Sequence, residues 1–223
     1  MLTVHHLEDS RSQRVLWLLE ELGVTYEVRR YERDRTTRLA PPALLAVHPL
    51  GKSPVITDGE VTVAETGAIV EYLVDTYGQG RLRPPPGTPA FQRYRYWLHF
   101  AEGSAMPYLV MKLVFDRIAN APMNFLIKPV ARGIADKVLG GFVMPNIRRQ
   151  LDYMEAELAQ RDWFAGAEFG AADVMMSFPL EAAAQRGGLG ANQPKLSAFL
   201  DRIHARPAYR RALERGGPYA FAK

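Results

Sequence analysis

Three short segments of the chain combine residue types and spacings that suit binding and activation of a small ligand. The first is PLGKSPVI (49–56). A proline at the very start of a strand cannot donate to a ladder, and an X-Pro bond tolerates the cis form at modest cost. A cis bond at Ser53–Pro54 would turn the Ser53 backbone outward and offer its N–H and C=O to an extended ligand, as an added strand does. The same residues can equally form a plain loop-to-strand junction. The second segment is AETGAIVEYL (64–73), where Glu65 and Thr66 stand at the start of a helical pattern. A helix N-terminus presents free N–H groups and partial positive charge. It therefore suits a ligand carboxylate, with Thr66 adding a hydroxyl and Glu65 taking an ammonium, together the complement of an α-amino-acid head group. Simple N-capping by either residue is the alternative. The third is HLEDSRSQR (6–14), with Ser10 and Ser12 between a strand and a helix. A hydroxyl beside a helix N-terminus can donate to a thiolate and lower a thiol pKa; capping by either serine is again the alternative.

The chain holds no cysteine. That excludes a disulfide framework, a thiolate-held zinc or iron–sulfur site and a protein thiol nucleophile, but not chemistry on a thiol brought by a ligand. His5, His6, His48, His99 and His204 form no H-E-x-x-H or comparable cluster, so no metal is expected. There is no G-x-G-x-x-G, Walker loop or G-x-S-x-G elbow.

These segments need elements to hold them. The first third reads β-α-β-α-β-β-α: a strand at 2–6, a helix at 12–23, a strand at 25–31, a helix at 41–47, two short strands about Asp58–Gly59, and a helix from Glu65 to Tyr77. A βαβ start requires parallel strands and an Asp-Gly hairpin antiparallel ones, giving a small mixed sheet with helices on it. GQGRLRPPPGTP (78–89) cannot continue a helix or a central strand, so 80–89 reads as a linker between a domain at 1–79 and one at 90–223. Net charge changes sign there: residues 1–79 hold 8 Lys+Arg against 12 Asp+Glu, and 80–223 hold 20 against 12. Everything after the linker has helical period, with a kink expected at Pro179. The arginines of the basic half are scattered, which favours a solvated helical surface over nucleic-acid binding.

Taken in this order, the three segments and the helical half resemble the cytosolic glutathione transferase family over essentially the whole chain. FGAADVMMSFPLEAA (169–183) and RPAYRRALERGGPY (206–219) carry the likeness into the second half, and the S-R-S-x-R-x-L-W start is similar to the bacterial and fungal theta-like serine-type branch. The resemblance implies a thioredoxin-like domain followed by a helical-bundle domain, a homodimer, and glutathione as co-substrate. It implies Pro54 as a cis-proline, Ser53 pairing with the cysteinyl backbone, Glu65 and Thr66 holding the γ-glutamyl head, Lys52 near the glycyl carboxylate with Arg38 helping, and Ser10 donating to the thiolate, with Ser12 as the fallback. Tyr108, Met111 and Phe115, spaced along one helix face, would line an apolar electrophile pocket, and Glu102 would reach the partner subunit's glutathione. Where the family has a Ser/Thr helix cap, this chain has Gly170, three residues before a structural Asp173, so weaker capping is expected.

The implied activity is transfer of glutathione: its thiol, ionised, attacks a small apolar electrophile. Glutathione-dependent peroxide or disulfide reduction and a non-catalytic binding role on the same scaffold are the alternatives. The start MLTVHHLEDS has no signal-peptide pattern and no run is long enough to span a bilayer, so a cytoplasmic, detoxifying enzyme without a membrane partner is expected.

Overall fold

The structure, a computed structural model, describes residues 1–222. Four strands, β1 (Leu2–Leu7), β2 (Glu27–Tyr31), β3 (Val55–Asp58) and β4 (Val61–Ala64), form one sheet in the order β2-β1-β3-β4. β1 runs parallel to β2 and antiparallel to β3, and β3–β4 is the Asp58–Gly59 hairpin. Gly59 has φ +58°, the left-handed conformation such a turn requires. Two helices join the sheet, α1 (Ser12–Leu22) and α2 (Thr66–Tyr77). Gly23, left-handed at φ 69°, ends α1 by returning its N–H to Leu19 O.

The helical half comprises α3 (Pro89–Phe100), α4 (Met106–Asn120), α5 (Lys128–Val138), α6 (Met144–Gln160), α7 (Ala171–Ala182), α8 (Pro194–His204) and α9 (Pro207–Gly216). α3 and α4 are one rod joined by a π-helical turn, Ala101–Ala105, and α5 and α6 are joined the same way by Leu139–Val143. The thioredoxin-like sheet domain and helical domain expected from the sequence are both present. They share one core: Leu2, Val4 and Ile56 of the sheet, Trp17 of α1, Trp97 of α3 and Met175 of α7 belong to a single buried cluster. α1 packs on both α7 and α9, so the helix that opens the first domain is a structural member of the second.

One expected helix is not formed. Residues 41–47 make only a 3-10 turn, Pro42–Leu44. Pro49 disfavours helical backbone at His48, and beyond Leu44 the segment closes only with turn bonds from Val47 N–H and His48 N–H to Leu44 O, at 3.1 Å each. Leu44 nonetheless anchors the segment, fully buried against Leu7 and Tyr31 in a small separate cluster. That fixes the loop leading to Lys52 and Ser53.

Pro179, where a kink is expected, lies inside α7, which continues as helix to Ala182. Proline has no N–H for the carbonyl four residues back, which is Met175 O, and that carbonyl instead accepts from Arg14 Nη1 at 2.5 Å. A π-helical turn, Ala183–Gly187, follows directly on α7. Gly170 begins α7 with no side-chain cap, but the linker supplies one: Ala171 N–H donates to Leu82 O at 2.8 Å. A Cβ at position 170 would lie 2.9 Å from that carbonyl, so the close linker excludes the usual Ser or Thr and replaces part of its capping. Asp173 is fully buried, accepting from Gly170 N–H and Phe164 N–H at 2.9 Å each. Among the described residues no helix is long and apolar enough to cross a membrane, and no group of three or more His, Asp or Glu is placed to hold a metal.

Candidate functional site

The sheet's β1–β3 end, the head of α2 and the α3–α4 rod enclose a cavity of about 230 Å³. Its walls include Lys52, Ser53, Pro54, Glu65 and Thr66, so the first two sequence segments converge on one space. The Ser53–Pro54 bond is cis. The Ser53 hydroxyl donates to His5 O at 2.8 Å and accepts from Leu7 N–H at 3.3 Å, which locks this residue to the end of β1.

At the head of α2, capping does not occur. Glu65 is the N-cap residue but makes no side-chain cap bond. The first N–H groups of α2 are therefore open towards the cavity. Glu65 also sits at φ 72°, ψ 124°, a left-handed-side conformation for a residue with a side chain. Such strain costs about 1–3 kcal/mol and concentrates where a site needs its geometry. Thr66 is buried beside it at 3% exposure.

The third segment behaves differently. Ser10 and Ser12 are buried, 5% and 0% exposed, and neither lines the cavity. Their hydroxyls lie 2.7 Å apart, Ser10 Oγ accepts from Ser12 N–H at 3.2 Å, and Ser12 Oγ bonds His6 Nδ1 at 2.8 Å. Ser10 thus caps its own helix, and the pair forms a chain inward to His6. Burial and the Arg30 charge push His6 down to about 4, so its imidazole is neutral near pH 7. The residue of this loop that does face the cavity is the one between the serines, Arg11.

Opposite Arg11 stands Glu102, on the π-helical turn of the rod. Its carboxylate takes two bonds from Arg11 Nε, at 2.9 and 3.1 Å, and one from Arg14 Nη2. Arg14 is fully buried, held between Glu102 and the carbonyl that Pro179 frees. These two cations hold the Glu102 carboxyl below its ordinary range although burial opposes them. Glu102, expected to reach across a subunit boundary, is thus on this chain's own cavity wall. His48 completes the wall beside Lys52.

Besides the two serines, four of the expected residues lie off the cavity wall. Arg38 is outside the cavity, its guanidinium 3.5 Å from Glu8 and 4.0 Å from Asp9. Tyr108, Met111 and Phe115 share a face of α4 but do not line the cavity; Tyr108 packs on Phe142 and Met111 is exposed. Arg11 and His48 were not picked out from sequence. A signal for the ion network was present: Arg14 directly precedes the apolar run Val15–Leu19 of α1, and a charge in a core position needs a partner.

Comparison with known proteins agrees with this fold. Residues 1–75 match the family model of the glutathione S-transferase N-terminal domain, and residues 142–207 match that of the C-terminal domain. Glutathione S-transferase 3 of Schizosaccharomyces pombe is 38% identical over 219 residues, covering 96% of this chain and 88% of the relative. A solved glutathione S-transferase from Actinobacillus pleuropneumoniae superposes with TM-score 0.76 at 30% identity, covering 100% of this chain and 96% of the other. A sphingomonad glutathione S-transferase solved in complex with glutathione gives TM-score 0.73 at 26% identity, covering 96% and 98%. The chain belongs to the glutathione S-transferase family.

Proposed function

We propose that this protein is a glutathione transferase of the serine-type branch that binds the tripeptide in the 230 Å³ cavity and presents its thiolate to a small apolar electrophile. The observation that carries the reading is the uncapped head of α2 facing Ser53 and Lys52 across one cavity. The open N–H groups and Thr66 suit the γ-glutamyl carboxylate and Glu65 its ammonium. Ser53 suits the cysteinyl backbone and Lys52 the glycyl carboxylate, with Arg38 a more distant electrostatic aid. Extended between those ends, the tripeptide directs its sulfur towards the start of α1, where Ser10 and Ser12 lie. The thiol gives its proton to water. The thiolate pair then forms a C–S bond as the leaving group departs with its own electrons.

The electrophile approaches along the α3–α4 rod. Glu102 is on the cavity wall, and a rise of about 1.5 Å per residue carries Tyr108, Met111 and Phe115 outward from it by roughly 10–20 Å. Val110, Val114 and Ile118 of α4 and Phe125 to Ile127 before α5 are exposed apolar residues, which supports assembly as a homodimer.

Thr66→Ala is expected to weaken glutathione binding about tenfold, since it removes a buried hydrogen-bonding group at the ligand's charged end. Calorimetric titration with reduced glutathione tests this, and an unchanged dissociation constant rejects the placement of the γ-glutamyl head. Ser10→Ala is expected to lower turnover with little change in affinity, measured as kcat against KM with an activated aryl halide.

A further inference from the structure

We infer that Arg11, steered by Glu102, is a catalytic residue that stabilises the glutathione thiolate, the serine hydroxyls serving chiefly to shape the loop that presents it. This inference rests on the glutathione-binding reading above.

The argument begins with which groups of the β1–α1 loop are available. The Ser10 hydroxyl accepts from Ser12 N–H and shares a hydrogen with the Ser12 hydroxyl, which in turn meets His6 Nδ1. The Ser12 hydroxyl also has Leu7 O as an acceptor at 3.3 Å. Both serine hydroxyls are thus engaged within a buried cluster, and neither residue lines the cavity.

Arg11 is placed differently. It is one-third exposed, lines the cavity with Ser53 and Thr66, and also borders the adjoining groove that shares Lys52 and Ser53. Its Nε is engaged by Glu102, while neither of its Nη groups has a hydrogen-bond partner among the described residues. Glu102 is itself fixed through Arg14, which is bound to the carbonyl opposite Pro179. The guanidinium is thereby held in a defined direction by a buried frame from α1, the rod and α7. A cation beside a thiol favours its ionised form, and the proton released goes to water at the cavity mouth. Other charged or titratable groups around Arg11 are His48 and Lys52 from the loop before β3, Glu65 from the head of α2, Glu102 from the rod, Arg14 behind it, and Arg33 across the adjoining groove. All six remain in the variants used to test the inference.

The test compares Arg11→Gln, Arg11→Lys, Ser10→Ala and wild type, each saturated with reduced glutathione, by thiolate ultraviolet absorbance against pH and by calorimetric affinity. Arg11→Gln is expected to raise the bound thiol's titration by about one unit or more, with affinity changed less than about threefold; Arg11→Lys is expected to recover part of that shift, and Ser10→Ala to move it less than Arg11→Gln. A tenfold loss of affinity in Arg11→Gln with the titration unmoved makes Arg11 a carboxylate clamp and overturns the inference. So does a larger shift in Ser10→Ala. Failure of wild type to bind glutathione overturns the binding reading itself, an outcome distinct from either.

Discussion

Glu102→Ala is expected to destabilise the fold by about 3–5 kcal/mol, far more than its one-third exposure suggests. The reason lies behind it. Arg14 is 1% exposed, and its guanidinium has two partners, the Glu102 carboxylate and Met175 O, while its Nε has none. Removing the carboxylate leaves a buried cation facing one neutral carbonyl. Breaking a buried pair from one side costs about this much because the surviving charge cannot regain water. The reverse change should be milder. Arg14→Met removes the buried charge and leaves Glu102 partly solvated and still bonded to Arg11, but it orphans the Met175 carbonyl, so a cost of about 1–3 kcal/mol is expected. Urea unfolding of both variants measures the asymmetry. Equal losses would mean that Arg14 stabilises through packing of its stem, not through its charge.

The same residues show what could be read from the sequence. The sheet, the cavity's Lys52–Thr66 wall and the helical half were legible because each rests on local chemistry: a proline at a strand start, an Asp-Gly turn, a helix head, a 3.6-residue period. The 41–47 helix fails on equally local grounds, since Pro49 disfavours helical backbone at the residue before it. What stayed hidden is pairing at long range. Arg14 meets a carbonyl 161 residues away, and Glu102 lies 91 residues from Arg11. From sequence Pro179 signals only a kink, yet the unpaired acceptor it leaves is what makes burial of Arg14 tolerable. The serines illustrate a different limit. Their types and position suit both a thiolate donor and a helix cap, and only the folded chain shows that both are buried and off the cavity wall.

A second large effect is masked in the wild-type protein because two buried groups oppose one another. His6 is held down to about 4 by burial and the Arg30 charge. Between that value and its ordinary 6.5 the unfolded chain binds a proton that the native state does not. Stability therefore rises with pH across this window, by about 3 kcal/mol at roughly 1.4 kcal/mol per unit, and is lost again as pH falls towards 4. Asp173 has the opposite sign. Burial pushes its carboxyl from 3.8 up to about 7, against the backbone N–H groups of Phe164 and Gly170 that favour its charge. Between those values the native state holds a proton that the unfolded chain has released. Stability then falls as pH rises, by about 4 kcal/mol in all. Over pH 4–6.5 the two contributions nearly cancel. His6→Gln should expose the Asp173 slope, giving a protein whose urea midpoint falls steadily from pH 4 to 7. Asp173→Asn should expose the His6 slope, giving a midpoint that rises from pH 4 to 6.5 at a lower overall stability, since an amide cannot accept both N–H bonds. Midpoints at pH 4.5 and 6.5 suffice to separate them. Slopes of the same sign in the two variants would mean that one of these groups does not titrate as its surroundings dictate.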